Sequence, residues 1–434
     1  VQSQTQQRLG SELVHPRCEE GQAEISEQAQ ALLQHPLTAD SATQVALWNN
    51  RHLRATLEEL GISQAELALA STPPNPGFSV STRWTGGGPN PEFALAQDVL
   101  SILLLPLHTK MAQTDLEQAK RRVTHEVIDL AFETREAFYT LQGEEHLLER
   151  LNAVAEVMEA SSQVAKRLNE AGNITDLELR EQETGVIDVE LKVRRSRGQI
   201  IRQREKLNRL MGISGNTGWS VTPHLANLPP REPSTATLEQ RALSQRLDLA
   251  LAKGRLEQVE RAMGLKCKTR FLPVLNLGAS TERDPDGTNS TGPSAEIQLP
   301  IFNRGESELA KLAAQKRQAL EEIAALKNDI RSEVSEAAAS VAAARGVVDL
   351  TTTKLLPNHQ EILRQSLLQY NAMQISNFDL LAAKDREINA EREAAEALRE
   401  YWLARVALER SIGGRIDGEV RPAKVAAARV ADHL

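Results

Sequence analysis

The chain is poor in aromatic residues: phenylalanine, tyrosine and tryptophan make up 3% of its 434 residues. Aromatic rings usually supply much of the burial in an enzyme core, so a compact catalytic domain is disfavoured. Cysteine is nearly missing. Cys18 and Cys267 sit in unrelated contexts without CxxC spacing, which argues against a disulfide framework or a zinc site. Leu13-Val14-His15-Pro16-Arg17, ahead of Cys18, lacks the small residues of a lipoprotein signal. Long apolar runs are also missing. The best, Val99 to Leu107, has half the ~18–20 residues that a spanning helix needs. No signal peptide is visible, and the chain begins at Val1 without Met, as a trimmed form would. A net charge of −8 offers no basic field for nucleic acid.

Catalytic patterns are equally scarce. His125-Glu126 opens like a zincin helix, but position 129 is Asp and no second histidine follows. None of the nine histidines forms an i,i+4 pair. Gly86-Gly87-Gly88 falls in a hairpin turn, not between a strand and a helix, so it is no phosphate loop. The sequence therefore carries no catalytic residue, metal site or cofactor signature, and the chain is expected not to be an enzyme.

What is present is a duplication. Ile174-Thr175-Asp176-Leu177-Glu178-Leu179 returns as Ile375-Ser376-Asn377-Phe378-Asp379-Leu380 at a shift of 201, which also carries Leu207, Arg209 and Gly212 onto Leu408, Arg410 and Gly413. Upstream, Leu105-Pro106-Leu107 matches Leu299-Pro300-Ile301 at a shift of 194. The seven-residue difference is one heptad, which a coiled-coil seam absorbs without rotating its apolar stripe. Ala, Leu, Glu, Gln and Arg dominate, as in long packed helices.

Each half reads helix, β-hairpin, long helix, tight turn, helix. A polar tail and short helix over 1–37 precede the first repeat, 38–212. There Asp40-Ser41 are plausible caps, Gly61 interrupts the helix, and Ser63 with Glu66 restarts it. Phe78, Val80, Thr82 and Trp84 alternate with polar residues, and the pattern puts a hairpin at about 77–105. A helical hairpin fills about 107–212; its outbound helix of some 65 residues would span roughly 100 Å. The seam is Leu147, Leu151, Val154, Met158, Ala165 and Leu168. A linker over 213–236 leads to the second repeat, 237–413, with a hairpin at about 273–302 and a helical hairpin at about 304–413. There Ile323, Leu326, Ile330, Val334, Ala337 and Val341 form the seam, and Pro357 bends the outbound helix. Thr175 and Ser376 are placed to cap the returning helices, and Gly212 and Gly413 to stop them. Residues 414–434 form a tail.

Four strands leave exposed edges. Their apolar stripe (Phe78, Val80, Trp84, Phe93, Leu95) with a polar opposite face fits a barrel with lipid outside and water inside. Three copies would supply twelve strands, enough for an aqueous lumen.

At this point the residues resemble a family, the TolC-like outer membrane factors of Gram-negative efflux and secretion systems. The resemblance spans about 38–413. It rests on Asn75-Pro76-Gly77-Phe78, Leu103-Leu104-Leu105-Pro106-Leu107, Phe271-Leu272-Pro273 and Gln298-Leu299-Pro300-Ile301-Phe302-Asn303-Arg304-Gly305. It implies a mainly α fold with a membrane β-barrel, in which a homotrimer builds a twelve-stranded outer-membrane barrel and a twelve-helix periplasmic tunnel. It further implies a passive exit duct with a periplasmic adaptor (membrane fusion protein) and an RND-type inner-membrane transporter as partners. Type I secretion, a periplasmic adaptor and a coiled-coil scaffold are the alternative readings.

The resemblance also places function at the helix tips. Asp379 falls on the first of two family tip aspartates, and Ala382 stands where the second would be. Glu178 is its repeat partner, with Asn377 and Asp176 adjacent, as the pore entrance. Three copies of such a carboxylate would attract cations and repel one another, which favours raised pKa values or bound counter-ions. Gly172, Asn173, Thr175, Leu177, Leu179, Ile375, Ser376, Phe378 and Leu380 are the expected adaptor contacts.

Overall fold

A computed structural model describes residues 1–9, 27–85, 88–214, 218–270, 274–283, 287–298 and 304–416. Helices α1 (Gln2–Leu9), α2 (Glu27–Leu33), α3 (Ala39–Asn49) and α4 (Arg51–Ala70) lead into strands β1 (Gly77–Thr85) and β2 (Gly88–Asp98). Helices α5 (Val99–Glu170) and α6 (Asp176–Met211) complete the first repeat. The second repeat runs α7 (Thr235–Gln245), α8 (Leu247–Thr269), β3 (Val274–Arg283), β4 (Asn289–Gln298) and α9 (Glu306–Leu350). A π turn at Thr351–Leu355 leads to α10 (Leu356–Asn371) and α11 (Asn377–Ile412). Both halves thus run in the order helices, strand pair, long helix, returning helix. The motif stretches 271–273 and 299–303 lie outside the described residues, as do Cys18 and 417–434.

Two compact units emerge. One holds His52–Glu126 with Arg246–Asp329, and the other Gln2–Arg51, Val127–Gln245 and the described part of 330–434. In the first, the strands form an antiparallel meander in the order β1-β2-β3-β4. Phe78 pairs with Leu95 and Val80 with Phe93; Leu95 then faces Ala279, and Leu275 faces Ile297. Side chains directly opposite one another share a face. The register therefore assembles one apolar face from Phe78, Val80, Trp84, Phe93, Leu95, Leu277 and Ile297. Ser79, Ser81, Arg83, Glu92, Ser280 and Glu282 share the other.

Gly278 is set by a close approach. A Cβ there would collide with the Leu95 carbonyl, a group fixed in the β2–β3 ladder. Gly278→Val is expected to cost about 1–3 kcal/mol or more. The measurement is the denaturant midpoint followed by a strand signal; an unchanged midpoint would show that the sheet yields there.

In the second unit the helical seam packs as its spacing predicts. Val154, Val189, Val193 and Ile388 form a buried cluster, with Leu148, Leu151 and Met158 packed against it. Each fully buried aliphatic side chain contributes about 1.5–3 kcal/mol. Ile330, Val334 and Val341 are buried in the second repeat. Gly212 and Gly413 end α6 and α11 in the left-handed conformation, at φ 66° and 74°. Among non-glycine residues only sparse polar types adopt it readily.

Several expectations need correction. The first hairpin does not extend to 105, because β2 stops at Asp98 and α5 begins at Val99. Asp98 accepts from the Ser101 amide at 3.0 Å, an N-cap bond, and Leu103-Leu104-Leu105 beyond it, without a branch at Cβ, are helix-compatible. Gly61 does not interrupt the helix either: α4 runs through it, and Ser63 caps nothing. The break falls earlier, at Asn50, where Asn49 and Asn50 donate to the carbonyls of Gly212 (2.7 Å) and Leu210 (2.8 Å). Thr38, not Asp40 or Ser41, is the cap of α3, with Ser41 closing its capping box. The segment expected to be a loose N-terminal tail includes α1, whose Thr5 and Leu9 are buried.

Residues 213–236 are also more than a linker. Leu37 and Val221 form a parallel bridge, and Trp219, Val221 and Leu225 are buried. Glu232 enters an ion network. Arg405 Nη1 donates to it at 2.7 Å, Tyr401 donates its hydroxyl to it, and Arg345 approaches at 3.9 Å. Glu409 lies 3.9 Å from Arg405 and 3.8 Å from Arg135, whose Nη1 binds Asp40 at 2.9 Å. Arg415, in the expected tail, reaches Asp40 at 3.1 Å. Burial opposes the Arg405 charge, but Glu232 and Glu409 outweigh it and hold its pKa above the ordinary value.

Pro357 does interrupt the second outbound helix, by a specific device. The Leu356 amide reaches back five residues to the Thr351 carbonyl, so the helix widens one turn before the proline that cannot donate.

Candidate functional site

Two surfaces stand out from the folded chain. The first is the sheet. Trp84 is 80% exposed, and Phe78, Val80, Phe93, Leu95, Leu277 and Ile297 are exposed beside it. Every one lies on the same face. A contiguous apolar sheet surface of this kind is not left to water in a stable protein. The opposite face is polar, with Ser81 donating to Glu92 at 3.1 Å and Arg83 lying 3.4 Å from Glu92 and 3.7 Å from Glu282. Strands β1 and β4 have no outer neighbour among the described residues, so their outer backbone groups are open to pairing.

The second surface is the pair of helical-hairpin tips. Thr175 caps α6 and Ser376 caps α11, each through a capping box. In the first, Glu178 accepts from the Thr175 amide at 2.7 Å and hydroxyl at 2.9 Å. In the second, Asp379 accepts from the Ser376 amide at 3.0 Å and hydroxyl at 2.7 Å. The same chemistry is thus written twice, 201 residues apart. The Ser376 hydroxyl and amide hold the Asp379 carboxyl below its usual range, and the Thr175 amide and hydroxyl do the same for Glu178. In the single chain the direction is therefore opposite to the rise expected for a ring of three.

The other tip residues divide. A cleft of ≈ 620 Å³ gathers Asn173 and Ile174 of the first tip with Ile375, Ser376, Asn377 and Phe378 of the second. Gly172, Thr175, Leu177, Leu179, Leu380 and the three carboxylates stand outside its lining. Leu177 is exposed, and Asp176 accepts from Asn169 at 3.1 Å. Met373 was not singled out from the sequence. It occupies the repeat position of Gly172, takes a left-handed conformation at φ 57°, and is 94% exposed. The duplication itself carried the signal: a side chain stands where its repeat partner has none.

No helix among the described residues is long and apolar enough to cross a membrane. In each repeat a pair of antiparallel strands is followed in sequence by a long helix and a returning helix, a fold this chain shares with solved outer membrane channels. Residues 238–414, nearly the whole second repeat, match the model of the outer membrane efflux protein family.

The chain is 21% identical over 387 residues to the cobalt-zinc-cadmium resistance protein CzcC of Cupriavidus metallidurans, covering 87% of this chain and 90% of that one. It superposes on the CmeC outer membrane channel of Campylobacter jejuni with a TM-score of 0.73 at 16% identity, over 94% and 96% of the two chains. The open state of the Neisseria gonorrhoeae MtrE outer membrane channel gives 0.67 at 16% identity, over 93% and 98%.

Proposed function

We propose that the chain is the outer-membrane channel of a tripartite efflux system, a passive exit duct fed by an inner-membrane transporter through a periplasmic adaptor. The observation that carries this reading is the meander, with one continuous apolar face and two free edges. A lone copy leaves both edges unpaired and the apolar face wet. Three copies remove both defects together: β4 of one pairs with β1 of the next, lipid covers the outer face and water fills the lumen. The protein then sits in the outer membrane, with its helical hairpins extending into the periplasm.

Such a duct needs no catalytic group, since an RND-type partner supplies the energy. The tips are the adaptor contact, with Ile174, Ile375 and Phe378 at the cleft and Leu177 and Leu380 beside it. Asp379, with Glu178, Asp176 and Asn377, lines the entrance. A shift of packed helices opens it.

In detergent the protein is expected to run as a trimer and to conduct ions in planar bilayers. Asp379→Asn keeps a side-chain oxygen for the cap but removes the charge. It should weaken block by divalent cations several-fold. A detergent-solubilised monomer without conductance would end the duct reading; unchanged block would remove Asp379 alone from the entrance.

A further inference from the structure

Helices α5 and α8 adjoin the two inner strands, since β2 leads into α5 and α8 leads towards β3. They pack against each other: Arg261 donates to Thr114 Oγ1, and Gln258 to Asp115 at 2.6 Å. Between them lies a cavity of ≈ 580 Å³, within the size range of small-molecule sites. Leu107, Met111 and Leu265 line its end nearer the sheet. Thr114, Gln118 and Arg121 continue the α5 wall at helical spacing, away from the sheet.

Two features of this cavity have no use within the fold. Gln118 is 7% exposed, yet its side-chain amide has no hydrogen-bond partner among the described residues. A Cβ at Gly254 would fall on that amide, so the glycine makes the room that Gln118 occupies. Native folds rarely leave a buried amide uncompensated. The second feature is charge. Of the lining carboxylates, Glu117 is engaged by Lys120 at 2.7 Å and Glu257 by Arg261 at 2.6 Å. Lys110, Arg121 and Lys268 line the cavity with no carboxylate partner among the described residues. An unbalanced positive field thus stands over an apolar floor. Ile102 and Leu103, on α5 between the sheet and the cavity, are exposed. Exposed apolar residues followed by lysine make the order of a membrane interface.

We propose that the cavity binds one anionic phospholipid with a hydroxylated headgroup, such as phosphatidylglycerol. Its acyl chains start along Leu107, Met111 and Leu265, and Lys110 and Lys268 meet its phosphate. The Gln118 amide both donates and accepts, which suits headgroup hydroxyls, and Arg121 donates beside it. A choline headgroup is disfavoured, because it brings a fourth cation to three. Pairing of copies through β1 and β4 leaves α5 and α8 away from the seams, so the cavity stays open in a trimer. The lipid as source rests on the duct reading; an anion-binding cavity does not.

The test titrates full-length protein in neutral detergent by calorimetry. The probes are dihexanoyl phosphatidylglycerol, dihexanoyl phosphatidylcholine and glycerol phosphate. One phosphatidylglycerol should bind per chain, with the other two probes about tenfold weaker or more. Lys110→Gln with Lys268→Gln removes two exposed charges and should weaken binding about tenfold or more. Gln118→Leu keeps volume and charge and should weaken it several-fold, with circular dichroism checking the fold. Lys311→Gln with Lys327→Gln makes the same charge change on exposed positions of α9 outside the cavity and should bind as the native protein does. Equal affinity for the two lipids, an equal loss in the α9 control, or native affinity in both cavity variants overturns the site. Glycerol phosphate binding as tightly as the lipid overturns the lipid as occupant. Protein that conducts as a trimer but binds no probe loses this site alone; protein that binds but forms no trimer loses the duct alone.

Discussion

Val80→Arg is expected to abolish assembly in the membrane. Val80 sits near the middle of β1, paired with Phe93 on the apolar face. An arginine at the bilayer midplane of a β-barrel costs about 2–4 kcal/mol per copy, and a trimer bears it three times, about 6–12 kcal/mol in all. That rivals the whole stability of a typical domain. Ser81→Arg is the matched control. It moves one residue along the strand, to the polar face beside Glu92 and Glu282, where an arginine is solvated and paired. Outer-membrane fractions should contain trimer for Ser81→Arg and none for Val80→Arg. Equal behaviour of the two would show that the faces are not lipid and water.

The second large effect is expected far from the strands. Glu232→Ala should lower stability by about 3–5 kcal/mol, because it leaves the Arg405 guanidinium buried without its main partner. The Arg405 side chain is 2% exposed and that of Glu409 1%, so solvent cannot replace Glu232. Tyr401 loses the acceptor of its hydroxyl in the same step. The control is Glu361→Ala, which removes an exposed i,i+3 pair with Arg364 and should leave the melting temperature unchanged. Arg405→Met with Glu232→Gln should recover part of the loss, since a neutral pair has no unbalanced charge. A small effect of Glu232→Ala would mean that Glu409 alone neutralises Arg405.

These sites show where sequence reasoning succeeds. Thr175, Ser376, Gly212 and Gly413 were legible because capping and stopping are local: a hydroxyl, a carboxylate three residues on, or a missing side chain suffices. Strands β1 and β3 were legible from alternation. The end of β2 was not, since the run from Val99 to Leu105, broken only by Ser101, has no parity and reads equally as strand or helix; Asp98 decides it by capping. The segment 213–236 reads as a linker because Pro, Asn and Thr are frequent in it. Of its fixing residues, Val221 bridges Leu37, 184 positions earlier, and Glu232 meets Arg405, 173 positions later. Asp40 and Ser41 were read as caps, but Thr38 caps, and Asp40 instead receives Arg135 and Arg415. Pairing between remote charges leaves no local pattern. Of the tip residues, the duplication located the turns and held the signal for Met373, while the division of the cleft needed coordinates.

The π turn before Pro357 makes the two arms of the duplication unequal. It adds one residue to the helical count, which rotates everything beyond it by about 100° relative to an uninterrupted helix. Before the turn the buried positions follow a single stripe through Ile330, Val334, Val341 and Val348. Beyond it α10 buries nothing, and Ile362, Leu367 and Leu368 are turned outward. The second arm is thus an offset copy of the first, and Ile362, Leu367 and Leu368 stand exposed on different sides of α10. Removing one residue from Thr351–Leu355 would return α10 to the register of the buried stripe that precedes it.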